Sequence, residues 1–230
     1  MKLSLEIPLN HWDTFSPFCD FHYALAPFAL VHKDYAKVYK KVSESKKELW
    51  LDNGFNEERR DIGIDALLKA CDLVEPTHVT ALEAFDAQEN IKNVIKTKEE
   101  FSKRHLPYKL IGCYRGGRKD LELLFELCDI VALPYDDYRE KPLSWIDSSR
   151  VHFFGMKNLD ELRRHPPRSL DTSVPIRAAM VGIDLKLRER RPRNIPLFNK
   201  TLDLTKEQVA LAIHNIHAIK EAGNGKTEET

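Results

Sequence analysis

Two aspartates are the first residues in this chain whose type and setting could do chemistry: Asp52, in the run LDNGF, and Asp171, in SLDTSVPIRAAMVG. Each closes a short apolar stretch, and turn-forming or helix-starting residues follow it. Between them come Glu83 after VTAL, Arg115 in CYRGG, and His152 with Phe154 in HFFG. Paired carboxylates at one mouth equip a site for nucleophilic and acid–base chemistry. Taken singly, each residue has a plainer reading. Asp52-Asn53-Gly54 is a ready-made turn. Thr172 or Ser173 suits a helix cap, with Asp171 close to the positive end of that helix. Glu83 suits the first wet position after a strand, and Arg115-Gly116-Gly117 a glycine turn.

The elements that must position these residues alternate. Strand-like stretches run over 3–9, 21–26, 48–51, 78–82, 109–113, 130–133, 151–154 and 169–171, with Pro8 and Pro27 ending the first two. Helical spacing separates them: Ile64, Leu67, Leu68 and Cys71 recur at i, i+3, i+4 and i+7, Ile91, Val94 and Ile95 follow the fourth stretch, and Leu121, Leu124, Phe125 and Cys128 share one face. A helix is expected over 34–42, a short one over 158–164 and a small-residue one over 176–180. Thr205 and Gln208 form a capping box for a last helix over 206–222, which buries Val209, Ala212, Ile213 and Ile216 and stops at Gly223. Strand, helix, strand, helix with short links predicts a parallel sheet. Eight strands in 230 residues favour a compact (β/α)8 TIM-type barrel as a single domain over an open doubly wound sheet. No G-x-G-x-x-G or Walker run supports the open alternative. In a barrel, functional groups collect at the carboxyl ends of the strands, where Asp52, Glu83, Arg115, His152 with Phe154, and Asp171 all fall.

Composition bounds the partners. Hydrophobic residues at 42% allow a sizeable core, and 31% charged residues suit a soluble chain. Lys plus Arg and Asp plus Glu both total 36, so net charge excludes neither nucleic acid nor a small substrate. The distribution is uneven: Lys186, Arg188, Arg190, Arg191 and Arg193 crowd the basic loop 186–199, where nucleic acid is the favoured partner. Arg163 and Arg164 suit a solvated face. The four cysteines (Cys19, Cys71, Cys113, Cys128) are scattered, with no C-x-x-C pair and no zinc spacing, which fits free thiols in a reducing compartment. No signal peptide and no membrane-spanning run is expected, so the location expected is cytoplasmic, the host cytoplasm if the chain is phage-encoded. The tail 224–230 is expected to fray.

These residues together resemble the tRNA-guanine transglycosylase family, and more closely its short phage-type relatives that exchange guanine in DNA for 7-deazaguanine derivatives. The run from Asp171 to Gly182 is similar, without a gap, to the family stretch in which the nucleophilic aspartate precedes V-x-P-T-R and a glycine. LDNGF resembles the family's D-S-G-G-aromatic turn, VTALE the strand ending in a base-reading aspartate, CYRGG the V-Q-G-G turn and HFFG the L-M-G strand end that packs on the bound base. The matches come in the family's order, from about Leu51 to Gly182. The family's zinc motif is absent, since no cysteine follows Cys128. Glutamate stands at 83 for aspartate, arginine at 115 for glutamine, and one glycine is missing from the Asp52 turn.

The resemblance implies a double displacement without cofactor or metal. Asp171 captures the sugar carbon as a covalent ester and Asp52 protonates the departing base and deprotonates the incoming one. Glu83 meets the N–H donors of guanine and Arg115 its O6. Gly116 and His152 line the site, and Phe55 and Phe154 sandwich the ring. It implies nucleic acid, DNA favoured over tRNA, and a free 7-deazaguanine base as partners, with a homodimer or a partner subunit left open. Two other readings stay open on the sequence: a hydrolytic N-glycosylase or nucleosidase using the same carboxylates, and a non-catalytic nucleic-acid-binding subunit on a borrowed fold.

Overall fold

The computed structural model describes residues 1–58, 60–134, 146, 148–187, 197 and 201–225. Eight strands form where the apolar stretches lie: β1 Lys2–Leu5, β2 His22–Leu25, β3 Leu49–Asp52, β4 His78–Thr80, β5 Lys109–Cys113, β6 Ile130–Leu133, β7 Val151–Phe154 and β8 Ser169–Thr172. The chain divides into two compact units, Phe21–Pro134 and Met1–Asp20 together with the residues after Pro134.

In the Phe21–Pro134 unit, β2 to β6 pair in parallel, each with the next in sequence. HYAL, LWLD and IVAL are buried at every position. Such continuous burial is expected of parallel strands covered on both faces. Helices Lys33–Glu44, Ile64–Val74, Ala87–Lys103 and Arg118–Leu127 connect them. The longest is capped by Asp86, whose carboxylate accepts the Glu89 N–H at 2.9 Å. Its buried face runs through Asn90, Ile91, Val94, Thr97 and Phe101, whereas Ile95 is exposed. Ile91, Val94 and Ile95 thus all lie on this helix as expected, the first two on its buried face, and Thr97 fits inside because its hydroxyl donates to Asn93 O. The second strand stops at Leu25, ahead of Pro27 as expected. Pro27 sits in the first turn of a helix, Ala26–Val31, where its missing N–H would have had no partner in any case.

Trp50, fully buried, anchors this unit against Phe21 (centroids 4.4 Å apart), Tyr23 (5.8 Å) and His78 (4.7 Å). His22 opens β2 beside this cluster in sequence and is 2% exposed. Burial, reinforced by the charge of Lys47, pushes its imidazole from 6.5 down to about 4. Between those values the unfolded chain binds a proton that the folded chain refuses, so stability must fall as pH drops from about 6.5 to about 4. The expected loss attributable to His22 is about 3 kcal/mol. Glu6, whose carboxyl is raised above its ordinary value, contributes with the opposite sign. Urea unfolding of wild type and His22→Gln across pH 4 to 7 isolates the effect: the difference in stability between them should shrink steadily toward low pH. A pH-independent difference would mean that His22 titrates normally.

In the other unit β1 pairs with β8 and β8 with β7, all parallel. β1 stops at Leu5, short of the expected Leu9, because Pro8 turns the chain into a 3-10 turn over Leu9–His11. The helix after β8 spans Val174–Met180, two residues earlier than expected, with Pro175 in its first turn. Thr172 Oγ1 accepts the Val174 N–H at 3.1 Å. The last helix, Lys206–Gly223, carries the expected capping box, Thr205 accepting from Gln208 N and Gln208 from Thr205 N. Val209 and Ile213 are only half-buried on it, and Ala212, Ile216 and Ile219 form its buried side. Asn215, fully buried in the same helix, donates to Ile183 O at 2.9 Å and accepts from Leu185 N at 2.9 Å, tying down the chain that leaves Met180. The loop residues Arg188, Arg190, Arg191 and Arg193 and the end of the tail, 226–230, lie outside the described residues.

The four cysteines are free thiols. Burial pushes Cys71 up to about 12 and Cys113 well above its ordinary value, so neither is a nucleophile at neutral pH. No described helix is long and apolar enough to cross a membrane.

Candidate active site

The sequence-selected residues form two groups, one in each unit. The first is built on β7 and β8. Register places His152 opposite Ser169 and Phe154 opposite Asp171, so these four side chains share one face. His152 is fully buried between two partners: Nδ1 lies 3.0 Å from Ser169 Oγ and Nε2 3.0 Å from Asp171 Oδ1. An ionised carboxylate only accepts, so Nε2 carries the hydrogen, and in the neutral ring Nδ1 then accepts from the Ser169 hydroxyl. The imidazole thus holds one Asp171 oxygen in a fixed direction while the side chain stays 28% exposed and reachable. Phe154 packs edge-on against the His152 ring at 5.0 Å. Beyond it Gly155 turns with φ +69°, and its N–H donates to Asp171 O at 2.9 Å.

Glu6 belongs to the same unit and escapes sequence reading. Its N–H donates to Thr172 O at 3.1 Å, directly past the end of β1. Its carboxyl accepts from the N–H of Leu197 and from the Ser173 hydroxyl. Burial raises its pKa above the ordinary value; these two hydrogen bonds and the Arg177 charge pull it back, and the Asp171 charge pushes it further up. The available signal is an acid just before Ile7-Pro8, hidden because the apolar pattern of the strand reads on to Leu9.

The second group is built on β3, β4 and β5. Asp52 Oδ1 accepts the Gly54 N–H at 2.6 Å, and Asn53 Oδ1 accepts the Phe55 N–H at 2.7 Å, two consecutive Asx turns. Gly54 is required: its φ is +75°, and a Cβ there would collide with the Pro27 ring. Glu83, 1% exposed, accepts from Arg115 Nη2 at 2.6 Å on one oxygen and from Asn53 Nδ2 at 3.1 Å on the other. The Arg115 guanidinium also lies over the Phe55 ring at 5.6 Å. Phe55 is itself buried and packs on Phe85, which is 59% exposed. The large exposed ring of this group is therefore Phe85, which the sequence reading misses. Gly116 has a packing reason, since a Cβ there would collide with the Asp120 carboxylate.

Neither family models nor curated proteins match the sequence. Solved structures do. The chain aligns over 96% of its length with all of 3-hexulose-6-phosphate synthase from Salmonella typhimurium, at 14% identity and TM-score 0.57. It aligns over 96% with 98% of KGPDC from Streptococcus mutans, at 11% identity and TM-score 0.56. A dihydrodipicolinate synthase matches over 97% and 99% of the two chains, at 13% identity and TM-score 0.53. The fold is a (β/α)8 TIM-type barrel. At these identities the likeness speaks for the fold alone, and none of the three carries a transglycosylase name.

In a TIM-type barrel the carboxyl ends of the strands are where side chains are presented for function. Asp52 and Phe154 close their strands, Asp171 is the last residue but one of β8, and Glu6, Arg115 and Glu83 follow a strand end within three residues. Lys186, the described cation of the basic loop, pairs with Glu221 at 2.9 Å. Among the described residues no group of three or more His, Cys, Asp or Glu is arranged to hold a metal ion.

Proposed function

We propose that this protein is a base-exchange transglycosylase that replaces guanine in nucleic acid, DNA in preference to tRNA, with a 7-deazaguanine derivative. The observation that carries the reading is Asp171: a reachable carboxylate at the end of a strand, one oxygen fixed by a buried histidine, in the local sequence that resembles the family nucleophile. Breaking an N-glycosidic bond builds positive charge on the sugar carbon, and a carboxylate that is already oriented loses little freedom in capturing it. Asp171 forms the sugar ester. The resemblance gives the proton to Asp52.

The resemblance gives the reading of the base to Glu83 and Arg115. Their mutual ion pair is compatible with this, because a carboxylate has about four lone-pair sites and a guanidinium five N–H donors, more than one ion pair uses. Phe154 walls the site beside His152. The target nucleotide leaves the duplex, at a cost of a few kcal/mol in unstacking. Lys186 and the arginines of the loop hold the flanking phosphates.

The test follows labelled guanine and 7-cyano-7-deazaguanine into a DNA duplex and into tRNA with the folded protein. Label entering DNA supports the reading. No label in either nucleic acid ends it, and abasic sites accumulating without added base would replace exchange by hydrolysis.

A further inference from the structure

Glu6 is a second carboxyl group on the face that presents Asp171. Ser4 lies opposite Asp171 in the β1–β8 register, and Glu6, two residues on, returns to the Ser4 side of the strand. The N–H of Glu6 extends the pairing to Thr172, and the Ser173 hydroxyl, two residues beyond Asp171, donates to its carboxyl. Ser4 itself is fully buried, and its Oγ has no hydrogen-bond partner among the described residues. A buried hydroxyl left unpaired on this face points to a polar ligand atom that completes it.

The two carboxyl groups sit in opposed environments. Asp171 takes a hydrogen bond from a buried imidazole and remains partly exposed. Glu6 is desolvated and feels the Asp171 charge, so it holds its proton to higher pH than a free glutamate, against the pull of Leu197 N–H, Ser173 and Arg177. Environments that separate two carboxyl groups in this way divide nucleophile from acid. Asp52 is placed otherwise, with Oδ1 committed to the Gly54 N–H in a turn.

We propose that Glu6 is the catalytic residue that protonates the departing base and deprotonates the incoming one in the displacement at Asp171. The inference rests on the transglycosylase reading and moves the proton from Asp52 to Glu6. In the first half the bond from the sugar carbon to the guanine nitrogen breaks, its electron pair takes the Glu6 proton, and an Asp171 oxygen bonds to the sugar carbon. Glu6 is left as a carboxylate. In the second half the incoming base gives its ring N–H proton to Glu6 and its nitrogen attacks the sugar carbon. The ester bond breaks, its pair returns to Asp171, and both carboxyl groups are restored.

The experiment compares two leaving groups in single-turnover adduct formation on a DNA oligonucleotide. One strand carries guanine at the target site. The other carries 7-methylguanine, which is already cationic and departs without a proton. In Glu6→Gln, which keeps an acceptor for Leu197 N–H, adduct formation should fall by about 10²–10⁴-fold with guanine and stay near wild type with 7-methylguanine. Equal losses on both strands, with an unchanged melting temperature, would reduce Glu6 to a structural residue and leave the transglycosylase reading standing. A leaving-group-selective loss in Asp52→Asn but not in Glu6→Gln would return the proton to Asp52. Wild type that forms no adduct with either strand overturns the reading, and the inference with it.

Discussion

Asp171→Ala is expected to remove the covalent nucleic-acid adduct from a denaturing gel and to lower base exchange by about 10⁴-fold or more. Neither Ser169 nor His152 can take its place without moving. Ser169 lies behind His152 on the far nitrogen, and His152 is fully buried with both nitrogens engaged. Alanine also deprives a buried imidazole N–H of its acceptor, which costs about 1–3 kcal/mol in stability. That second effect would confuse the first, so Asp171→Asn is the partner variant. Its amide oxygen keeps an acceptor for His152 Nε2–H while removing the nucleophile, and it should bind nucleic acid and melt close to wild type while forming no adduct. An adduct that survives in the alanine variant identifies another nucleophile. Loss of folding in both variants would instead make the His152–Asp171 contact a structural one.

Much of the architecture is legible because parallel strands and amphipathic helices write distinct periods. All eight strands appear where short apolar runs end at turn-formers, and the last helix begins at the capping box that Thr205 and Gln208 spell out. Boundaries fail where one residue type has two uses. Pro8 lets β1 read four residues too long, whereas Pro27 both follows the end of β2 and opens the next helix. Residue type alone does not settle burial either: Ile95 is exposed and Thr97 buried, because a helix rotates about 100° per residue and the threonine satisfies its own hydroxyl. At the site the sequence points to Asp171, Asp52, Glu83, Arg115 and His152, and in each group the partners are legible only from tertiary pairing. That Glu83 would meet Arg115 depends on β4 and β5 lying side by side, and that Glu6 belongs with Asp171 depends on β1 returning to β8 across almost the whole chain. Single-residue patterns carry no trace of either.

Arg115→Ala is expected to destabilise the protein by about 3–5 kcal/mol. Glu83 is 1% exposed and Arg115 12%, so the pair has little water to fall back on, and removing the cation leaves a buried carboxylate with only neutral donors such as Asn53 and the Cys113 thiol among the described residues. The guanidinium also covers the Phe55 ring, so its loss uncovers apolar surface as well as charge. Arg115→Lys restores the charge without the planar fork and should recover only part of the loss. The double variant Arg115→Ala with Glu83→Gln separates the two contributions. If the stranded charge dominates, the neutral amide brings back more than half of the lost stability in urea unfolding, because desolvating an amide costs far less than desolvating an ion. If the double variant is no better than Arg115→Ala, packing on Phe55 is the larger part. The comparison also bears on recognition: Glu83→Gln keeps the shape of the base-reading edge but exchanges an acceptor for a donor, so a variant that folds yet no longer takes guanine would tie this ion pair to the choice of base.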